Sequence, residues 1–105
     1  MVEVDDVEKF DLEKFSVNAR KLDVFSNGIN VEIFSVVDRK FIYARVNERG
    51  VGETDACGSG ALALFTYLRE INKVDDDAIV LYPGGELELS YEKEKLYLKG
   101  EVTYL

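Results

Sequence analysis

The single cysteine of the chain lies in its densest cluster of polar and glycine residues, residues 48–60 (ERGVGETDACGSG). Gly58 and Gly60 follow Cys57 and carry no side chains, so the first amides of a helix beginning there would be open to a ligand. Such amides bind carboxylates, and the positive end of a helix dipole favours a thiolate over a thiol. Because the chain has no His, a general base must be a carboxylate, a lysine, a tyrosine or this thiol. Cys57 is therefore a candidate acid/base group.

Two charged residues of the same cluster extend this hypothesis. Glu48 supplies a carboxylate, and Arg49 supplies a guanidinium that can pair in bidentate fashion with a substrate carboxylate. The alternative interpretations are ordinary ones. A lone cysteine is often a small buried hydrophobe, and neighbouring Glu and Arg residues often form a solvated ion pair. The acidic run at residues 75–77 lacks the ligand spacing of a calcium loop, so no metal site is predicted.

The last three residues of the cluster begin a segment that is apolar nearly all round, residues 58–72 (GSGALALFTYLREIN), which predicts a helix inside the protein. A second helix is predicted at residues 11–20, with Asp11 as its N-cap and with Leu12, Phe15 and Ala19 at helical spacing. The first part of the cluster, residues 48–57, is expected to be a loop.

Period-two alternation of apolar residues predicts the strands. They are expected at residues 29–37, 40–46, 78–82, 86–91 and 95–99, with short additions at 2–4 and 101–105. Asp38-Arg39 joins the first two as a hairpin, Asn27-Gly28 precedes them as a turn, and Pro83-Gly84-Gly85 turns within a later meander. The predicted fold is a single α+β domain over residues 1–105. Its mostly antiparallel sheet forms a partial barrel curled around one buried central helix.

Composition narrows the class of protein. The net charge of −8 and the sequence pI of about 4.5 disfavour nucleic acid and anionic membrane surfaces as partners. No apolar run approaches the roughly 20 residues that span a bilayer. One cysteine forms no internal disulfide, which is typical of the reducing cytoplasm. We therefore expect a cytoplasmic protein that binds neither nucleic acid nor membranes.

Four blocks of the sequence resemble the C-terminal half of diaminopimelate epimerase. They are residues 25–32 (FSNGINVE), 37–39 (VDR), 48–61 (ERGVGETDACGSGA) and, more weakly, 83–85 (PGG). The likeness covers nearly the whole chain. Asn47 departs from the usual aromatic residue, Asp55 from an apolar or neutral one, and Ser59 from the commoner threonine.

The resemblance implies a cofactor-independent isomerase that interconverts LL- and meso-diaminopimelate for lysine and peptidoglycan synthesis. It implies Cys57 and Glu48 as catalytic residues, Cys57 being one of two acid/base thiols and Glu48 its proton-handling partner. It also implies a substrate site. In that site the Gly58 and Ser59 amides bind the carboxylate at the reacting end, while Asn30 and Arg49, with Glu48, bind the distal end.

In that family two homologous domains face each other, and each presents a cysteine at its central helix. The resemblance thus implies that the N-terminal domain, with its own cysteine, is absent here and is the natural partner. We expect little or no activity from the chain alone, and we expect an isolated half to associate with itself as a homodimer. Two alternatives stay open. One is a related racemase or isomerase of another small amino or carboxylic acid, as in proline racemase or the phenazine-pathway isomerase. The other is a non-catalytic binding or assembly domain with an inert, buried Cys57.

Overall fold

A computed structural model describes residues 1–21 and 30–100 of the chain. Two helices and seven strands occur in this part. The strands are β1 (Val2–Glu3), β2 (Val31–Asp38), β3 (Phe41–Glu48), β4 (Gly52–Thr54), β5 (Asp77–Tyr82), β6 (Gly85–Glu92) and β7 (Lys95–Gly100); the helices are α1 (Leu12–Arg20) and α2 (Gly58–Glu70). The predicted Asn27-Gly28 turn, the first residue of the predicted 29–37 strand and the predicted strand at 101–105 lie outside the described residues.

All seven strands belong to one sheet, in the order β1-β2-β3-β5-β6-β7, with β4 attached to β3. The pairs β2–β3, β3–β4, β5–β6 and β6–β7 are antiparallel, whereas β1–β2 and β3–β5 are parallel. Within the described residues the sheet does not close on itself. The prediction of an α+β fold with a mostly antiparallel, partial-barrel sheet is confirmed.

Helix α2 lies against one face of this sheet and supplies the centre of the main core. Its Ala61, Leu64, Phe65 and Leu68 are buried, and they pack with the inward-facing residues of β2, β3, β5 and β6. The opposite side of the helix is exposed at Tyr67, which keeps 47% of its accessible surface. The central helix is thus buried on its sheet side and uncovered on the other.

Helix α1 covers the other face of the sheet, over β2, β3 and β4. The Asp11 side chain caps it by accepting from the amide of Lys14 at 3.1 Å, as predicted. Leu12 packs against Val31 and Ile33 in a second, smaller core. Residues 31–34 of β2 are therefore buried on both faces, because each face of that strand has its own helix.

The sheet differs from the sequence expectations at the loop before α2. Residues 52–54 were expected to be loop and instead form β4, which folds back onto the end of β3. The reversal uses positive φ angles of 79° at Gly50 and 101° at Gly52, which glycine adopts without strain. A three-residue strand is too short to show period-two alternation, so the pattern missed it.

The β2–β3 turn is also displaced by one residue. Asp38 still pairs with Phe41 after a bulge between Val36 and Asp38, so the turn is Arg39-Lys40 rather than Asp38-Arg39. The bulge adds a residue to one strand and shifts the register, which the alternation of apolar residues does not reveal.

Arg45 on β3 holds β4 and the N-terminal segment together. Its guanidinium forms a two-pronged ion pair with Glu53, at 2.6 and 2.8 Å. It also donates to the carbonyl oxygens of Val7 at 2.7 Å and Phe10 at 2.9 Å. These contacts hold β4, the strand that precedes Cys57, against β3 and the N-terminal segment.

Candidate functional site

Cys57 is the N-cap residue of α2. Its extended backbone (φ −144°, ψ 107°) precedes the first helical turn, and its sulfur accepts a hydrogen bond from the amide of Gly60 at 3.3 Å. The Ser59 hydroxyl lies 3.4 Å from the same sulfur. Cys57 is half-buried, so the thiol is neither sealed in the core nor fully solvated. A sulfur in this position faces the positive end of the helix, where amide donors stabilise a negative charge.

The packing around position 60 favours glycine. A Cβ atom there would lie 2.9 Å from the Glu32 carboxyl oxygen Oε2 and 3.2 Å from the sulfur of Cys57. Gly58 is less crowded, since a Cβ there would meet only a methyl group of Leu98 at 3.4 Å. The first turn of α2 is therefore packed closely against its surroundings at one of its two glycines.

Three of the other predicted site residues lie around the open end of the β2–β3 hairpin. The side chain of Asn30 accepts from the backbone amide of Arg49 at 2.7 Å, which joins the two chain segments. Glu48 ends β3 and lines a shallow depression of about 400 Å³ together with Thr54 and Asp55. Among the described residues no hydrogen bond joins Glu48 to Cys57. The structure thus gathers Asn30, Glu48 and Arg49 at one end, beside the loop that leads to the thiol.

A larger depression, of about 540 Å³, lies elsewhere on the described surface. Phe41, Ile79 and Tyr97 line it, on the side of the sheet away from α2. It contains none of the predicted site residues, so the volume of a surface depression does not identify the chemical site in this protein.

Pro83 and Gly84 form the turn between β5 and β6, whereas Gly85 already belongs to β6, and this turn contacts the cysteine loop. The amide of Gly84 donates to the carbonyl of Asp55 at 2.9 Å. A Cβ atom at Gly84 would overlap the Cβ of Asp55 and lie 3.0 Å from its carbonyl oxygen. The weak PGG signature of the sequence is thus explained by a close approach of two backbones.

This contact predicts the effect of Gly84→Ala. We expect the added methyl group to force the two segments apart and to lower the free energy of unfolding by about 1–3 kcal/mol. Urea unfolding followed by circular dichroism measures the change, and Gly58→Ala is the matched control because its methyl group has room. Equal stability of the two variants would contradict the close approach.

Sequence reasoning missed two residues beside Cys57, both buried on the α2 side of the sheet. Glu32 on β2 is 5% exposed and Tyr82 at the end of β5 is 6% exposed. The Tyr82 hydroxyl lies 2.5 Å from Glu32 Oε1 and 3.3 Å from the carbonyl oxygen of Cys57. The available signal was a glutamate between the apolar Val31 and Ile33 of a predicted strand, which is unusual in a buried position.

Burial is the main influence on both groups. It raises the pKa of Glu32, because the charged carboxylate loses its hydration, and the hydrogen bond with Tyr82 offsets this in part. Burial also raises the pKa of Tyr82, and the adjacent Glu32 adds to the effect. Burial therefore favours the neutral carboxylic acid of Glu32 and the neutral hydroxyl of Tyr82 beside the Cys57 thiol.

Neither a metal site nor a spanning helix is found in the part of the chain that the structure describes. Over residues 1–21 and 30–100 no group of three or more Cys, Asp or Glu side chains is arranged to hold a metal ion. No helix in those ranges is long and apolar enough to cross a membrane.

The fold of this chain, an open sheet packed against a helix that begins at Cys57, defines the structural class to which it belongs. A crystal structure of a phenazine biosynthesis protein of the PhzF family from Bacillus anthracis shares this fold, with a TM-score of 0.61. The match covers 91% of this chain and 32% of that one at 18% identity, so it concerns the fold alone.

The sequence then identifies the family within this class. Residues 1–105 match the diaminopimelate epimerase family, and the chain belongs to it. It is 36% identical to the diaminopimelate epimerase of Xanthomonas euvesicatoria pv. vesicatoria over 100% of this chain. It is 32% identical to that of Clostridium perfringens over 91% of this chain. The chain spans 38% and 37% of the length of these two relatives.

Proposed function

We propose that this chain is the C-terminal half of a cofactor-independent diaminopimelate epimerase and supplies one of its two acid/base thiols. The reaction inverts the α-carbon of diaminopimelate and interconverts its LL and meso forms, in the cytoplasm. The observation that carries the proposal is the position of Cys57, whose sulfur caps α2 and accepts from the amide of Gly60.

The chemistry requires a base on one face of the α-carbon and an acid on the other. Cys57 as thiolate removes the α-proton from its own face, and as thiol it returns a proton in the reverse direction. Negative charge then develops on the substrate carboxylate, where the amides of Gly58 and Ser59 at the helix N-terminus can receive it. The Ser59 hydroxyl, close to the sulfur, assists at the same place.

The remaining predicted residues are assigned to the substrate and to the proton. Arg49 pairs with the carboxylate at the distal end of diaminopimelate, and Asn30 orients the loop that carries Arg49 through their hydrogen bond. Glu48 handles protons beside the thiol and contacts the distal amino group. Its position next to the depression before Cys57 supports this role.

A second thiol must come from outside these residues, because the chain contains one cysteine. The N-terminal half of the same enzyme is the proposed source. The exposed side of α2 around Tyr67 supports an arrangement in which another polypeptide covers this half. Alone, the chain is expected to hold half an active site.

Incorporation of solvent deuterium at the α-carbon of diaminopimelate tests the proposal. The 105-residue chain by itself is expected to incorporate deuterium no faster than buffer. Addition of an N-terminal half of a diaminopimelate epimerase in trans is expected to restore incorporation and to yield the inverted isomer. Mass spectrometry and chiral chromatography measure the two results.

Two outcomes would contradict parts of the proposal. Full turnover by the chain alone, with a dimer by light scattering, would replace the N-terminal half by a second copy of this chain. Deuterium incorporation into proline or another small amino acid, with none into diaminopimelate, would transfer the chain to a related racemase.

A further inference from the structure

Glu32 and Tyr82 form a buried pair that the proposed two-base reaction does not use. They lie on neighbouring parts of the α2 face, Glu32 on β2 and Tyr82 at the end of β5. Both touch the start of α2. Tyr82 reaches the carbonyl of Cys57, and the carboxyl of Glu32 fills the space that glycine leaves at position 60.

The number of hydrogens that this pair can donate indicates the protonation state of Glu32. Tyr82 has one hydroxyl hydrogen but two acceptors in reach, Glu32 Oε1 and the Cys57 carbonyl. If Glu32 is ionised, the hydrogen goes to the carboxylate and the Cys57 carbonyl receives none from Tyr82. If Glu32 is protonated, it donates to the Tyr82 oxygen, and the tyrosine hydrogen is free for the carbonyl. Only the protonated form satisfies both contacts.

The position of the Glu32 carboxyl relative to the Cys57 sulfur also favours the protonated form of Glu32. A Cβ atom at Gly60 would lie 2.9 Å from Glu32 Oε2 and 3.2 Å from the Cys57 sulfur. The oxygen and the sulfur are therefore separated by at most the sum of these two distances. A carboxylate so close to the sulfur would oppose a thiolate, whereas a neutral acid would not.

The other groups around Glu32 are few. On β3 its cross-strand partner is the apolar Val46, and Glu48 is the next residue along that face. The positive amino group of Met1, just before β1, favours an ionised Glu32, but burial outweighs it. From α2 and β5 the titratable groups are Cys57 and Tyr82 themselves.

We propose that Glu32 and Tyr82 are positioning residues of Cys57. Glu32 as the neutral acid donates to Tyr82, and Tyr82 donates to the Cys57 carbonyl. This relay holds the first turn of α2 in place and keeps negative charge away from the thiol. The role of the relay in catalysis rests on the proposed function of Cys57; its geometry and protonation do not.

The protonation is tested by nuclear magnetic resonance of the chain with ¹³C-labelled glutamate carboxyls, titrated between acidic and neutral pH. The Glu32 signal is assigned by its loss in Glu32→Gln, and Glu88→Gln is the matched exposed control. Glu32 is expected to titrate at a higher pH than the other glutamates, because its carboxyl is buried. Titration together with them would overturn the proposal, whatever the reactivity of the thiol.

The effect on the thiol is tested by the rate of Cys57 alkylation with iodoacetamide between pH 6 and 9. Glutamine imitates the neutral acid, so Glu32→Gln is expected to match the wild-type rate within about two-fold at the lower end of this range, near pH 6. A rate increase of about ten-fold there would overturn the proposal, because it would reveal a charged Glu32 in the wild type.

The relay itself is tested by Tyr82→Phe. Loss of the donor to the Cys57 carbonyl is expected to speed hydrogen exchange of the Ala61 amide, which bonds to that carbonyl at 2.9 Å, by up to about ten-fold. Unchanged exchange at Ala61 would overturn the relay. Exchange in α1, which Tyr82 does not touch, provides the internal control.

Stability adds a readout that needs no reaction at the thiol. Because burial raises the pKa of Glu32 above its usual 4.5, folding favours the protonated form. The stability from this group is complete below that value and is lost as pH rises through the raised pKa. Glu32→Gln is expected to remove this loss. Thermal unfolding at several pH values measures how stability depends on pH in the two proteins. The same dependence in the wild type and in Glu32→Gln would overturn the proposal.

Discussion

Replacing Cys57 by Ser is expected to lower epimerisation by about 10³-fold or more in the enzyme assembled from its two halves, while the stability of the chain is kept. A positioned acid/base group contributes about 10²–10⁴-fold, and a serine hydroxyl does not ionise at neutral pH. Serine nevertheless remains a good N-cap, so the hydrogen bond that the Cys57 sulfur accepts from Gly60 has a replacement. Deuterium exchange at the α-carbon measures the loss.

Cys57→Ala separates the chemical role from the capping role. It is expected to lose activity to the same extent and, in addition, to lose the cap, which costs about 0.5–2 kcal/mol of stability. Near-normal turnover of the serine variant would remove Cys57 from the reaction. It would favour the non-catalytic interpretation, in which the thiol only caps α2.

The largest expected effect on stability is that of Phe65→Ala. Phe65 is 0% exposed and lies at the centre of the core between α2 and the sheet. Removal of a buried aromatic ring costs about 3–5 kcal/mol, through lost transfer free energy and the cavity left behind. Small domains have total stabilities near 5–15 kcal/mol, so much of the fold's stability depends on this ring. Urea unfolding followed by tyrosine fluorescence measures the change.

Tyr67→Ala is the matched control for this experiment. Tyr67 is an aromatic residue on the same helix, two positions away, and is 47% exposed. Its replacement is expected to change the stability of the isolated chain by less than about 1 kcal/mol. A loss as large as that of Phe65→Ala would contradict the one-sided burial of α2.

Local patterns predicted most of the elements. Asp11 before Leu12, Phe15 and Ala19 marked α1, and the structure confirms both the helix and its cap. The alternation along β2 and β3 and the glycines after Cys57 likewise marked a hairpin and the start of α2. These signals are reliable because capping and face periodicity depend on residues a few positions apart.

The parallel pairing of β3 with β5 was beyond such patterns. Phe41 and Ile79 are register partners although α2 and β4 lie between them in the chain. The apolar residues of β5 suit a parallel or an antiparallel neighbour equally well. Only the packing of α2 onto the sheet decides which strands meet.

By itself the sequence determined the family, the thiol and the helix that the thiol caps, since these depend on residues close together in the chain. The tertiary structure alone brought Glu32, Tyr82 and Gly84 beneath the cysteine loop, from strands 25 or more residues away. The physical reason is that a buried acid or a close backbone contact depends on burial and distance, which arise only when the strands have packed around α2.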